Sequence, residues 1–219
     1  MKSLDRESFD LREGSSPFFD KSEDWEAWRA KLPHREQNLK IQFVTFRLAD
    51  SLPQSVLIDY KLRKEDFLRL YPKPWNRGIE MLYDSQFTSY MDGYLDSGLG
   101  RCVLADSSVR KTLIEAFDFF HNERYHMLAY VIMPNHVHML IMPYEDYSLK
   151  SIMSSIKKFT ARAINKITGN KGSLWEEDYF DVLIRSYNHY AGRLEYIRNN
   201  PRFLPAGTYA FGGIEFAMV

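Results

Sequence analysis

The segment 130–143 reads YVIMPNHVHMLIMP and limits the folds open to this chain. Two runs of bulky and β-branched apolar residues, 130–133 and 137–142, stand on either side of Pro134 and Asn135. Each run has the composition of a buried strand, and Pro-Asn is a turn signal. The segment therefore predicts two core strands joined by a tight bend.

Two histidines, His136 and His138, lie at the start of the second run. Alternate side chains of a strand share one face, so the two imidazoles are predicted to lie side by side with Val137 on the opposite face. Neutral imidazole nitrogen is a common metal ligand, and two adjacent rings suit a divalent ion. The alternative is that both histidines are core or edge residues, and the pair alone does not decide between the two.

Composition places the chain among globular proteins of a reducing compartment. Its 219 residues and 45% hydrophobic content predict one domain with a sizeable core. A single cysteine, Cys102, excludes an intrachain disulfide, and a charged, polar stretch follows Met1, so a cytoplasmic location is predicted. No apolar run approaches the roughly 20 residues needed to cross a bilayer, which predicts no association with a membrane.

Charge is distributed unevenly along the chain although its net value is zero. Residues 148–202 hold ten Lys and Arg against five Asp and Glu, and this segment is where a polyanion is expected to bind. The surplus is modest, and it is equally consistent with a solvated helix face.

Hydrophobic periodicity and the positions of turn and capping residues predict a mixture of strands and helices. The expected elements are a strand at 41–46, helices at 54–71 and 87–95, a short strand at 102–104, a helix from Asp106 or Ser107 to about Arg124, a long helix from the N-cap Ser148 to about Thr168, and a last helix at 186–200 stopped by Pro201. The polar face of the long helix is basic. The helical region 54–98 is predicted to be an insertion between core elements.

The last predicted helix carries a second group of chemically active residues. At about 100° per residue, one apolar stripe is expected to pack on the sheet, and it consists of Tyr187, Tyr190, Leu194 and Ile197. Tyr196 lies nearly opposite this stripe and shares its face with Asn200, one turn later. A hydroxyl and a carboxamide are thus predicted to face away from the sheet together, either as part of a site or as ordinary exposed side chains.

Several motifs in this order resemble those of the single-tyrosine HUH transposases, and most closely those of the REP-associated tyrosine transposases. They are RAKLPH, FVTFRLADSLP, MPNHVHMLIMP, KKFTARAIN, LWEEDYFD and EYIRNNP, and the resemblance runs from about Trp28 to Pro205. It implies an α+β fold of the HUH endonuclease type, a ferredoxin-like antiparallel sheet with helices packed on one face. The implied organisation is an N-terminal arm (1–38), one catalytic domain (39–205) with the helical insertion at about 54–98, and a C-terminal tail (206–219).

The resemblance also implies an activity and its residues. Tyr196 corresponds to the nucleophile, and His136, His138 and Asn200 correspond to the ligands of a divalent metal, Mg²⁺ or Mn²⁺. The implied reaction is nicking and strand transfer of single-stranded or hairpin DNA, of the repetitive extragenic palindrome type, through a 5′-phosphotyrosine. Basic residues predicted to contact DNA are Lys157, Lys158, Arg162, Arg185 and Arg193.

Two other functions agree with the same residues. One is a protein that binds repeat DNA without cutting it, and the other is a metal phosphoesterase that uses water in place of Tyr196. A tyrosine nucleophile predicts a covalent adduct that the other two lack. The protein is expected to act as a monomer or a homodimer.

Overall fold

A computed structural model describes residues 16–30 and 33–214. In chain order its strands and helices are β1 (Glu26–Arg29), β2 (Pro33–Glu36), β3 (Gln42–Arg47), α1 (Gln54–Leu70), α2 (Arg77–Asp96), α3 (Ser107–Phe120), β4 (Tyr125–Ile132), β5 (His136–Pro143), α4 (Leu149–Thr168), β6 (Phe180–Leu183), α5 (Tyr187–Asn199) and β7 (Ala210–Gly212). Within the described residues, none of the helices combines the length and the apolar character that crossing a membrane requires.

Five strands form one antiparallel sheet in the order β6-β3-β5-β4-β7. The central hairpin of β4 and β5 bends at Pro134 and Asn135, as predicted, and Met133 N–H donates to the carbonyl of His136 across the bend at 2.9 Å. If β3, β4, β5 and β6 are numbered 1 to 4 in chain order, their order across the sheet is 4-1-3-2. The helices α3 and α4 form the two crossover connections. This is the ferredoxin-like arrangement, and the predicted α+β fold is confirmed.

Helices cover both faces of the sheet. α3 and α4 pack together on one face, as predicted, through residues such as Leu113, Phe117 and Ile156. α5 packs on the opposite face through Tyr190 and Ile197. Because strand side chains alternate, β5 contributes Val137 and Met139 to the first face and directs its two histidines toward the second.

The ends of α4 follow from its sequence. The Ser148 hydroxyl accepts a hydrogen bond from Ser151 N–H at 3.1 Å, and Gly169 ends the helix with a φ of 68°. Both features are typical of helix caps, because the hydroxyl satisfies a free N–H and glycine tolerates positive φ.

The region between β3 and α3 holds the helices α1 and α2. The second helix predicted there, 87–95, is longer and begins at the N-cap Asn76, whose side chain accepts from Ile79 N–H. The short strand predicted at 102–104 is wrong, since Val103–Ala105 is a 3₁₀ helix and Cys102 has a left-handed backbone with a φ of 50°. A left-handed residue interrupts the extended backbone that a strand needs.

The segments before β3 and after α5 contribute further strands. β1 and β2 form an antiparallel hairpin that lies beside β6, and β7 extends the sheet next to β4 within the predicted tail. His34 of β2 is only 2% exposed, and its ring contacts the carboxylates of Asp178, at 3.0 Å, and Asp181. Trp28 of β1 stacks on the His34 ring with 3.9 Å between centroids.

Candidate active site

The two histidines of β5 form the centre of the candidate site. His136 and His138 are fully buried on the sheet face that α5 covers, and their Nε2 atoms are 2.9 Å apart. β3 supports them from the neighbouring strand, where Thr45 lies opposite His138 and Arg47 opposite His136. The structure thus brings the pair together as the alternation of the strand predicts.

The proton positions on the two rings follow from their partners. Asn135 donates its amide N–H groups to the carbonyls of Leu95, at 3.1 Å, and Leu99, at 3.0 Å, so its oxygen faces Nδ1 of His136 at 2.7 Å. His136 therefore carries its proton on Nδ1, which leaves a lone pair on Nε2. The Thr45 hydroxyl oxygen is 2.7 Å from Nδ1 of His138 and can accept a hydrogen bond from an N–H group at that position.

Burial keeps both rings neutral. It lowers the pKa of His136 to about 3. It also lowers the pKa of His138, and the nearby His136 and Arg193 lower that pKa further. Two neutral imidazoles whose Nδ1 atoms are held by hydrogen bonds present their Nε2 lone pairs to one point, which is the arrangement that a divalent cation needs.

Tyr196 of α5 completes the contact with the histidine pair. Its hydroxyl oxygen is 3.4 Å from Nε2 of His138, and its ring packs edge-on against Phe43 with 5.9 Å between centroids. The prediction that Tyr196 faces away from the sheet is wrong, because the residue is half-buried against it. Tyr187, which was expected to pack on the sheet, is 37% exposed.

Two acidic residues of α2 lie on the far side of this tyrosine. The Tyr196 hydroxyl lies beside the carboxylate of Asp92. Burial raises the pKa of Tyr196 above its usual range, and the Asp92 and Asp96 carboxylates raise it further. Burial likewise raises the pKa of Asp92, to about 6. Without added positive charge, the site therefore disfavours the phenolate.

Asn200 directly follows α5, one turn after Tyr196, and its side chain has an unusual environment. It lies beside the carboxylate of Asp96, and its Oδ1 is buried without a hydrogen-bond partner. A buried acceptor without a donor is costly unless a cation satisfies it. Two imidazole nitrogens and one amide oxygen fit a divalent metal. Among the described residues, the present positions of the His, Cys, Asp and Glu side chains bring no three of them close enough to share a metal ion, so a set completed at these positions includes the asparagine.

The predicted DNA-binding residues fall on both faces of the sheet. Arg193 lies one turn before Tyr196, and its guanidinium lies 4.7 Å from the centroid of the Phe43 ring. Arg185 is exposed just before the N-terminus of α5. Lys157, Lys158 and Arg162 belong to α4, which covers the opposite face, and the Lys157 ammonium donates to the carbonyl of Glu177 at 2.6 Å. Of these five residues, the structure brings Arg193 to Tyr196.

A cleft of about 420 Å³ opens beside the tyrosine. Its lining includes Asp96, Tyr196, Asn200 and Arg202, and Phe203 at its edge is 85% exposed. The cleft opens the half-buried hydroxyl to solvent.

Sequence reasoning did not identify four of the side chains at this site. Thr45 and Asn135 hold the imidazoles, and Asp92 and Asp96 come from the insertion. The two aspartates stand four residues apart in the sequence, a spacing that puts two residues on one face of a helix. That spacing was a usable signal, but nothing in the sequence says where the insertion packs.

The family comparison covers the elements that carry this site. A family model described as "Transposase IS200 like" matches residues 101–200, a range that includes both histidines, Tyr196 and Asn200. Over this segment the chain is similar to the IS200-like transposases. The family resemblance found in the sequence is confirmed, and the acidic residues Asp92 and Asp96 lie outside the IS200-like segment.

Two solved structures resemble the chain. One is a REP-associated tyrosine transposase bound to a REP hairpin, with 18% sequence identity and a TM-score of 0.40, covering 74% of this chain and 66% of that one, just under two thirds of its length. The other is a candidate transposase from Deinococcus radiodurans, with 14% identity and a TM-score of 0.31, covering 73% of this chain and 89% of that one. No curated protein matches the sequence significantly.

Proposed function

We propose that this protein is a metal-dependent endonuclease and strand transferase that acts on single-stranded or hairpin DNA. The observation that carries the proposal is the position of the Tyr196 hydroxyl, 3.4 Å from Nε2 of His138 in a segment of the IS200-like family. His136, His138 and Asn200 would hold Mg²⁺ or Mn²⁺. The mixed nitrogen and oxygen ligands favour Mn²⁺, because Mg²⁺ prefers oxygen.

The proposed reaction is a transesterification. A bound divalent ion would polarise the scissile phosphate and favour ionisation of the nearby phenol. The Tyr196 oxygen attacks phosphorus, a bond to the 5′-phosphate forms, and the bond to the 3′ oxygen breaks. The Tyr196 proton passes to the neighbouring Asp92 carboxylate, which later releases it to solvent, and the departing oxygen takes a proton from water to become a 3′ hydroxyl. Reversal of these steps joins strands, since the phosphotyrosine conserves the bond energy.

Arg193 supports binding of the phosphate. Its guanidinium is fixed on the Phe43 ring, one turn before Tyr196, and it adds positive charge beside two acidic residues. A fixed cation near the scissile phosphate stabilises charge that builds up during attack.

The test is incubation of the purified protein with end-labelled hairpin oligonucleotides and Mn²⁺ or Mg²⁺, analysed on denaturing gels. Candidate hairpins come from repeats that flank the gene. We expect a cut strand with protein linked to its 5′ end, absent in Tyr196→Phe and in chelator. Tyr187→Phe, an exposed tyrosine on the same helix, is the matched control and should cut normally.

The other outcomes identify the alternative functions. Metal-dependent cutting that persists in Tyr196→Phe without an adduct indicates a phosphoesterase that uses water. Hairpin binding without cutting by the wild-type protein indicates a repeat-DNA-binding protein. Either result refutes the tyrosine mechanism.

A further inference from the structure

We propose that the helical insertion completes the metal site, with Asp96 of α2 as a fourth protein ligand. This inference rests on the proposed function, because it concerns the ion expected between His136, His138 and Asn200. It assigns a role in the active site to a region that lies outside the IS200-like segment.

The C-terminal end of α2 is fastened to the histidine strand. Asn135, the residue before His136, donates one hydrogen bond to the carbonyl of Leu95 and another to that of Leu99. Leu95 is itself 4% exposed and packs with Leu52 and Val56. The position of Asp96 relative to His136 is therefore set by buried contacts on both sides of it in the sequence.

The Asp96 carboxylate lies close to the histidine pair. Oδ1 of Asp96 is 3.9 Å from Nε2 of His136, and the two Nε2 atoms are 2.9 Å apart. With ligand bonds of about 2.1 Å, adjacent ligands of an octahedral ion are ~3 Å apart and opposite ligands ~4.2 Å apart. The distance between the two imidazole nitrogens matches adjacent ligands, whereas 3.9 Å from Asp96 to His136 matches neither position. The Asp96 side chain must therefore turn toward the ion, and at 43% exposure it has room to do so.

The chemistry of the set also favours a carboxylate here. Both imidazoles and the Asn200 amide are neutral, whereas Mn²⁺ and Mg²⁺ bind best where oxygen ligands carry negative charge. The Asn200 side chain lies beside Asp96, and its own Oδ1 is buried without a partner. The two proposed oxygen ligands are therefore neighbours. Among residues 16–30 and 33–214, no lysine or arginine forms an ion pair with Asp96.

The experiment measures Mn²⁺ binding to the full-length protein by isothermal titration calorimetry, without DNA. We expect Asp96→Asn to weaken Mn²⁺ binding about tenfold or more, as loss of an anionic ligand should. Asp66→Asn, an exposed aspartate of α1, is the matched control and should bind as the wild type does. Asp96→Glu keeps the carboxylate on a longer side chain and should retain part of the affinity.

Two further comparisons distinguish failure of the proposed metal site from failure of the role of Asp96. His136→Ala should abolish binding, and a wild type that binds no Mn²⁺, or binds it equally after this change, contradicts the proposed metal site itself. If His136→Ala loses the metal but Asp96→Asn and Asp96→Glu bind within twofold of the wild type, only the role of Asp96 is refuted. The Asp96 side chain is 43% exposed, so its variants should fold, and melting temperatures in chelator check this.

Discussion

The side chain of Asn135 joins two parts of the site that are 40 residues apart in the sequence. Its oxygen sets the proton of His136, and its N–H groups hold the end of α2. The PNHVH motif therefore contains both the buried histidine pair and the residue that positions the helix beside it. At the scale of single residues, the geometry depends as much on these supporting hydrogen bonds as on the imidazoles.

Thr45 offers a test of that dependence. Thr45→Val removes the hydroxyl that holds Nδ1 of His138 and keeps the shape of the side chain. We expect Mn²⁺ binding to weaken about tenfold, because the ring loses the partner that fixes its tautomer and orientation. Calorimetry measures the change, and Thr45→Ser, which keeps a hydroxyl, should bind nearly as the wild type does. Equal affinity for Thr45→Val and wild type would show that the hydrogen bond plays no part.

At the scale of elements, α5 shows where sequence reasoning succeeded and where it failed. Helical periodicity placed Tyr196 and Asn200 on one face, and in the structure both contact aspartates of α2. The same periodicity put that face away from the sheet, because the apolar stripe was assumed to mark the one buried side. α5 instead lies against the sheet and the insertion together, and packing between segments far apart in sequence is not encoded in a local pattern.

His34, in the hairpin of β1 and β2, predicts that the stability of the protein depends on pH. Burial lowers the pKa of His34, but hydrogen bonds to Asp178 and Asp181 outweigh it and raise the pKa from 6.5 to about 9. A raised folded-state pKa gives stability that is fully present below about 6.5 and is lost as pH rises through 9. We expect the free energy of unfolding in urea to fall by on the order of 1–2 kcal/mol across this window.

His34→Gln provides the comparison for this experiment. The variant should lack the decline, whereas a parallel pH dependence in both proteins would exclude His34 as its source. Lys157 lies beside Asp178, and burial lowers its pKa to about 8, so its contribution has the opposite sign above that pH. Because Lys157 is present in both proteins, the difference between them isolates the histidine.

At the scale of the whole molecule, the core was more predictable than the site. The apolar runs of β4 and β5 and the capped helix α4 define a sheet and its covering helix by local pattern alone. Asp92 and Asp96 were out of reach, because the placement of an insertion depends on contacts such as the one from Asn135. The distribution of charge along the chain was also insufficient to predict which basic residues lie near Tyr196. The helices α4 and α5 are neighbours in sequence but lie on opposite faces of the sheet.

This division of the basic residues predicts where DNA binds. A strand that presents its phosphate to Tyr196 must lie on the α5 face, so Arg193 should contact it while Arg162 on the other face should not. We expect Arg193→Gln to lower the rate of hairpin cutting about 100-fold, as loss of a fixed cation at a reacting phosphate does, and Arg162→Gln to stay within twofold of the wild type. Single-turnover cutting on denaturing gels measures both rates under the same salt conditions. Comparable losses in the two variants would place DNA around both faces, and an unchanged rate for Arg193→Gln would remove the guanidinium from the proposed phosphate site.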